Sequence, residues 1–287
     1  MNISNITKTI VVTGANKGIG FGLVKGLLMS KKSQNARIIL TSRNPELGKQ
    51  SFDSLQKDCS SYNALERLIY QQLDITDSKS QDNFCSWVTN TYGKINILVN
   101  NAGVAVKGDK FDTEVFDWTM KTNYYETVNF TEKMLKQKLV SDKIIFVSSM
   151  ASRFLKFGNK DIKARWLNEN ITADDIMILA GEFREAIKNN NVDKAGWPQN
   201  TYSVSKLCLS SYVKYLSKRQ DVVEQNLQIY SCCPGWVQTD MGGKSAHKTI
   251  EQGIVTPMYL VELEANSIQK ELQGQFFEDC KVSYVLS

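Results

Sequence analysis

Thr9-Ile10-Val11-Val12-Thr13-Gly14-Ala15-Asn16-Lys17-Gly18-Ile19-Gly20 decides the fold. Thr9 to Thr13 are all β-branched, and a short run of this kind reads as a buried strand. It breaks at Gly14. From Gly18 onward Phe21, Val24, Leu27 and Leu28 fall at helical spacing and form an apolar stripe. Strand, glycine-rich turn and helix is the setting that a phosphate-binding loop requires. The spacing is Gly-x-x-x-Gly-x-Gly rather than G-x-G-x-x-G, but the physics is shared. Glycines let the backbone approach a phosphate, and the helix N-terminus supplies unpaired N–H groups and a positive dipole. Gly14, Asn16, Lys17, Gly18, Ile19 and Gly20 are therefore candidate nucleotide contacts. A plain structural turn is the competing reading.

The same alternation runs down the chain. Ile38–Arg43, Leu68–Leu73, Ile95–Val99, Lys143–Val147 and Leu227–Cys232 read as further strands, and Gly274–Phe277 as a short seventh. Helical patterns lie between them: about Pro45–Lys57, Gln81–Tyr92 with Phe84, Trp87 and Val88, and Phe116–Leu139 with Trp118, Met120, Val128, Met134 and Leu135. Strands alternating with helices predict an α/β fold, a doubly wound parallel sheet of about seven strands, in one domain. In such sheets an acid at the end of the second strand bonds a ribose 2′-hydroxyl, whereas an Arg accommodates a 2′-phosphate. Here the acid is missing and Arg43 is present, with Lys17 as a second cation, so NADP(H) is favoured over NAD(H). Asp74, after the third strand, fits two roles: holding an adenine amino group, or capping the helix that begins near Ser78. Asn100-Asn101-Ala102-Gly103 follows the fourth strand directly. It reads either as a turn chosen for Asn and Gly preferences or as a loop that lets a flat cofactor pass close. Asn123 lies inside a helical pattern, where an amide competes for backbone groups.

Composition narrows the functional classes. The chain has 287 residues, 42% hydrophobic and 23% charged, with a net charge of +5. Its cations are scattered, so no nucleic-acid footprint is predicted. Met1–Lys8 is polar and lacks an apolar signal core, and no apolar run reaches membrane-spanning length. The cysteines at 59, 85, 208, 232, 233 and 280 form no C-x-x-C motif, which predicts a reduced, cytoplasmic protein. His247 is the only histidine. Neither a zinc site nor a Ser-His-Asp or Cys-His mechanism is expected.

The chemistry then has to come from other groups. Tyr202 and Lys206 are four apart at the front of a helical segment, so they share one face. A phenol near its usual pKa of about 10 is a poor acid at neutral pH, and a cation held close lowers that value. Such a Tyr can exchange a proton with a carbonyl or hydroxyl oxygen. A solvated helix face is the competing reading of the pair alone.

Taken together and in order, Thr13-Gly14-x-x-x-Gly18-x-Gly20, Asn100-Asn101-Ala102-Gly103, Asn123, Ser149 and Tyr202-x-x-x-Lys206 resemble the short-chain dehydrogenases/reductases, over nearly the whole chain. Thr13–Gly20 and Cys232-Cys233-Pro234-Gly235-Trp236-Val237 are more similar still to the monomeric, NADPH-dependent carbonyl reductases of the animal cytosol. The resemblance implies a Rossmann fold and these roles. Tyr202 is the general acid, Lys206 lowers its pKa and bonds the nicotinamide ribose, Ser149 hydrogen-bonds the substrate oxygen, and Asn123 holds a water in the proton relay. It implies cofactor contacts from the glycine loop, Arg43, Leu73, Asp74, Asn100, Ala102, Gly103, Pro234, Gly235, Val237 and Thr239, and no metal. Val106, Trp236 and Met241 are candidate walls of an apolar pocket for quinones, aldehydes and ketones.

One departure is large: Ser149 and Tyr202 lie 53 positions apart, much further than in most of the family. The extra piece spans approximately Lys156–Pro198. It carries a helical run, Ala173–Asn189, with Ile176, Leu179, Ala180, Phe183 and Ile187 on one face and Thr172 as its N-cap. In carbonyl reductases a similar insertion covers the helix face that other members use to dimerise, so a monomer is expected. Plant menthone and salutaridine reductases also carry one, which leaves the substrate open, including one specific biosynthetic ketone. The other alternative is a catalytically silent dinucleotide sensor or scaffold. Such proteins usually lose the Tyr, Lys or Ser, and here all are present.

Overall fold

The β-branched runs lie side by side at the centre of the molecule. A computed structural model describes residues 6–60, 64–264 and 271–286, so the first five residues of the polar Met1–Lys8 stretch lie outside it. Eight strands form one sheet in the order β3-β2-β1-β4-β5-β6-β7-β8. They are β1 Lys8–Val12, β2 Ala36–Ser42, β3 Leu68–Gln72, β4 Ile95–Asn100, β5 Val140–Val147, β6 Gln228–Cys233, β7 Phe276–Glu278 and β8 Lys281–Ser283. All neighbours from β3 to β7 pair in parallel, and β7–β8 is an antiparallel hairpin. The expected seven strands are thus joined by an eighth. Its three residues, Lys281-Val282-Ser283, carry a single apolar side chain and give no periodic signal.

Alternate strand residues serve opposite faces. Val11, Ile39, Leu98, Ile144 and Ile229 pack with the helices α4 Ser78–Tyr92, α5 Thr113–Met120, α6 Glu126–Lys136, α8 Ala173–Lys188 and α10 Thr201–Leu216. Ile10, Val12, Ile38, Leu40, Ile97 and Val99 pack with α1 Gly18–Met29, α2 Pro45–Asp58 and α13 Val255–Glu262. The chain order reverses between β1 and β4, which opens a crevice at the carboxyl ends of those strands.

Two helical readings change. The stretch read as Phe116–Leu139 is α5 and α6 joined by a π-helical turn, Lys121–Tyr125, in which Glu126 N–H reaches back to the Lys121 carbonyl. The helix after β3 is capped by Asp77, not Asp74: the Asp77 carboxylate accepts from Lys79 N–H, whereas Asp74 Oδ1 accepts from the Thr76 amide and hydroxyl, both at 2.8 Å.

The insertion folds as two helices, α7 Lys160–Leu167 and α8, and a short turn of helix, Val192–Ala195. The α8 helix begins at Thr172 with a full capping box, its Asp175 side chain answering the Thr172 amide. The predicted face is the buried one: Ile176, Leu179, Ala180, Phe183 and Ile187 are all in the core. Phe183 meets Phe111, Phe116 and Trp197. Paired hydrogen bonds from Arg184 to Asp117 (2.6 and 2.7 Å) fasten α8 to α5.

Candidate active site

The carboxyl ends of β1, β4, β5 and β6 bring four loops together. At β1 the chain turns at Gly14 with φ +61°, where a Cβ would lie 2.9 Å from the Ala102 Cα. Only glycine allows both the backbone angle and that approach. Asn101, between the two predicted contacts Asn100 and Ala102, fastens this junction. Its amide donates to the Thr13 carbonyl at 2.8 Å and the Gly14 carbonyl at 3.1 Å. Thr13 Oγ1 in turn accepts from the Asn101 and Ala102 amides, each at 3.0 Å. The side chain of Asn100 itself is buried and donates to Thr131 Oγ1 at 3.0 Å.

Helix α1 starts at Gly18 with Lys17 at its N-cap. No side chain caps it and its first turn holds no acid, whereas α2, α4, α5, α7, α8 and α10 all have side-chain caps. Free first-turn amides and a glycine cradle suit a diphosphate. The Ala15 amide bonds the Thr41 carbonyl at 2.8 Å, so the loop leans on the end of β2, and exposed Arg43 follows one residue after that strand. Leu73, buried, donates its amide to the Ser42 carbonyl and places Asp74 along the same rim. Lys17 pairs with Asp240 at 2.8 Å. A Cβ on Gly18 would touch the Thr239 methyl at 3.4 Å. The segment after β6 therefore sits against the glycine loop. Within it Val237 bridges to Lys248, and Gly235 (φ +84°), just after Pro234, donates its amide to the Cys233 sulfur at 3.2 Å. Val106, Trp236 and Met241 are exposed on the loops after β4 and β6.

Ser148 and Ser149 divide their work. Ser148 is buried, bonding the Lys206 carbonyl (3.1 Å) and Ser210 (2.7 Å). Ser149 Oγ accepts from the Ala151 amide at 3.1 Å, which leaves its own proton to donate. Asn200 caps α10, and Tyr202 and Lys206 occupy its first turns. The Lys206 ammonium lies 5.9 Å from the centre of the Tyr202 ring and donates to the Val147 carbonyl at 3.0 Å. A Cβ on Gly103 would lie 3.3 Å from Asn123 Oδ1 and 3.4 Å from Lys206 Nζ, so Asn123, Lys206 and the loop after β4 converge. The π turn explains Asn123. Its wider ring turns the amide inward, where it exchanges two hydrogen bonds with the Val104 backbone (2.7 and 2.9 Å). Its Nδ2 also donates to Ser205 Oγ at 3.0 Å, and that hydroxyl donates to the Tyr202 carbonyl at 2.7 Å. Asn101 belongs to the Asn100–Gly103 motif marked in the sequence, whereas Ser205 is a residue that pattern reading missed; its only signal is a small polar residue between Tyr202 and Lys206.

One electrostatic expectation is corrected. The Tyr202 phenol is pushed up, not down, to about 12: burial raises it, and a hydrogen bond with Ser149 only partly opposes this. Burial also lowers Lys206 to about 8. The opposing contribution to the phenol comes from Ser149 and not from Lys206, whose ammonium is turned to the Val147 carbonyl.

The sequence pattern of the short chain dehydrogenase family matches residues 8–159. Carbonyl reductase (NADPH) 3 of Homo sapiens is 32% identical over 283 residues, covering 96% of this chain and 98% of that protein. The chain belongs to the short-chain dehydrogenase family. Carbonyl reductase (NADPH) 1 of Sus scrofa is 33% identical, covering 98% of this chain and 95% of that protein. Among solved structures, salutaridine reductase from Papaver somniferum superimposes with a TM-score of 0.78 at 25% identity, over 95% of this chain and all of that one. Menthone neomenthol reductase from Mentha piperita gives 0.76 at 25%, over 94% and 98%. In this short-chain dehydrogenase the matched pattern ends at residue 159, before the insertion's first helix and before Tyr202.

Proposed function

We propose that this enzyme uses NADPH to reduce quinones, aldehydes and ketones to alcohols. The observation that carries the reading is the convergence of Ser149, Tyr202, Lys206 and Asn123 beside the uncapped start of α1. The relatives named as carbonyl reductases (NADPH) support it. NADPH, when bound, supplies a hydride from its nicotinamide ring. Gly14, Asn16, Gly18, Ile19 and Gly20 offer backbone room and amides for its diphosphate. Arg43 and Lys17 take the 2′-phosphate, Lys17 leaving its exposed and therefore weak pair with Asp240. Asp74, Asn100, Ala102, Gly103, Val237 and Thr239 line the rest.

Tyr202 gives its proton to the substrate oxygen as negative charge builds there. Ser149 donates a hydrogen bond to the same oxygen, a contribution of about 3 kcal/mol for a donor of this type. Lys206 offsets the phenolate left behind and bonds the ribose. Asn123 holds the loop after β4 and, through Ser205, the backbone at Tyr202; a water on its amide would return the proton. Val106, Trp236 and Met241 wall an apolar pocket, and such pockets discriminate weakly among similar groups, so broad tolerance follows. We further propose one domain, a monomer, and a cytoplasmic location, the last supported by six free cysteines.

A panel of quinones and aromatic aldehydes with NADPH, followed by cofactor absorbance, tests the function. Tyr202→Phe is expected to abolish turnover while still binding NADPH. Normal turnover by that variant would remove Tyr202 as the acid.

A further inference from the structure

Ser149 caps a 3₁₀ turn, Met150–Phe154, and the far side of that turn is held by the C-terminal hairpin. Arg153 Nη2 donates to Glu278 Oε2 at 2.8 Å, to Ser283 Oγ at 2.6 Å and to the Tyr284 carbonyl at 3.0 Å, and Arg153 Nε reaches the same carbonyl at 3.1 Å. Ser152 Oγ lies 2.8 Å from the Val285 carbonyl and 3.2 Å from the Ser149 carbonyl. The Arg153 and Glu278 side chains are only 24% and 17% exposed, so this pair is far less free to wander than a surface one. Glu278 ends β7, whose partner in the ladder at that position is Cys233 of β6. The Cys233 thiol accepts from the Gly235 amide at 3.2 Å, and the carbonyl of the preceding Cys232 accepts from the Ser148 amide at 2.8 Å. The residue before Ser149 and the loop after β6 are thereby both tied to the carboxyl end of β6. Past the hairpin, Leu286 is buried in the same apolar cluster as Leu155.

We infer that Arg153, anchored by Glu278, is a positioning residue for carbonyl reduction: it fixes the turn that aims the Ser149 hydroxyl at the substrate oxygen. This rests on the reductase reading above. The oxyanion donor must sit within a few tenths of an ångström of its place, and misplacement of a supporting turn costs rate rather than binding. These hydrogen bonds of Arg153 run to Glu278, Ser283 and Tyr284 and not to α10 or the glycine loop, so their loss should leave α10, Lys206 and the glycine loop intact.

A double-mutant cycle on the full-length enzyme decides the matter. The values of kcat and KM for a quinone and an aromatic aldehyde are measured with NADPH for wild type, Arg153→Ala, Ser149→Ala and the double variant. Glu278→Gln is added because it keeps the shape of the clamp while weakening it. Arg153→Ala is expected to lower kcat about tenfold with KM and NADPH affinity little changed. In the Ser149→Ala background the same change is expected to cost less than about twofold. Glu278→Gln should lower kcat in the same direction, and Arg153→Lys should recover part of the loss. An equal fold-loss in both backgrounds would overturn the inference, because the clamp would then act on stability or elsewhere in the site. So would unchanged kcat in both Arg153→Ala and Glu278→Gln. Wild-type protein that reduces no carbonyl in the panel would overturn the reductase reading, and the inference with it.

Discussion

Tyr202 keeps its proton and Lys206 does not hold its own tightly, and this ordering sets a pH dependence. Burial pushes the phenol up to about 12 and brings the ammonium down to about 8. As pH rises the lysine therefore titrates first. Below about 8 it is charged and can offset the Tyr202 phenolate that the proposed mechanism forms; above, it is neutral and cannot. The kcat for carbonyl reduction is expected to be level through neutral pH and to fall above about 8, measured at saturating NADPH. A profile that holds level until the phenol itself ionises would refute the role of Lys206. Cofactor choice is also decided by single residues. Arg43 stands exposed just past β2, where an acid would have favoured a free ribose hydroxyl. Arg43→Ala is expected to weaken NADPH far more than NADH in a fluorescence titration; equal losses would leave no case for a 2′-phosphate site. At this scale the sequence was informative about chemistry and silent about orientation. It marked Tyr202, Lys206, Ser149 and the glycine loop, because those residue types can carry the proposed reaction. That Ser148 turns into the core while Ser149 faces the site depends on hydrogen bonds to Lys206 and Ser210, sixty or so residues away, and no local pattern encodes them.

Elements were legible where one period and one cap agree. Helix α8 combined a 3.6-residue apolar face with Thr172, and both survive in the structure. Its burial makes it part of the core rather than an appendage. Phe183 is fully buried among Phe111, Phe116 and Trp197, so Phe183→Ala should leave a cavity. The expected loss of stability is about 3–5 kcal/mol, read from the urea midpoint at unchanged slope. A change under about 1 kcal/mol would mean that the insertion packs loosely and contributes little to the fold. The π turn at Lys121–Tyr125 was not legible, because α5 and α6 continue the same apolar stripe through it. Asn123 was its only trace: an unfavourable residue for a helix interior, placed where the ring widens and aims an amide at Val104 and Ser205. The hairpin strand β8 was missed for the opposite reason, since it has too few residues to show any period. Strands β1 to β6 were read within a few residues, because parallel strands buried on both faces are nearly continuous apolar runs.

At the scale of the whole molecule the insertion decides what surface is left for a second copy. Helix α10, which carries Tyr202 and Lys206, is buried along almost its full length. The sheet lies on one side of it and α5, α8 and the Ser149 turn on others. Ion pairs hold this cover in place: Arg184–Asp117 joins α8 to α5, Arg165–Glu182 joins α7 to α8, and Lys214–Glu169 joins α10 to the loop between α7 and α8. Each pair alone is weak, but the apolar face beneath them, from Ile176 to Ile187, is not. A helix face already covered by its own chain cannot be offered to a partner without losing that burial. Sedimentation at micromolar concentration is therefore expected to show one species near 32.4 kDa, the mass of a single chain. Because the contacts that cover this face are intramolecular, diluting the protein or raising the salt should not change that mass. A dimer that dissociates on dilution would place association on another surface, and would leave the insertion the task of shaping the pocket beside Tyr202.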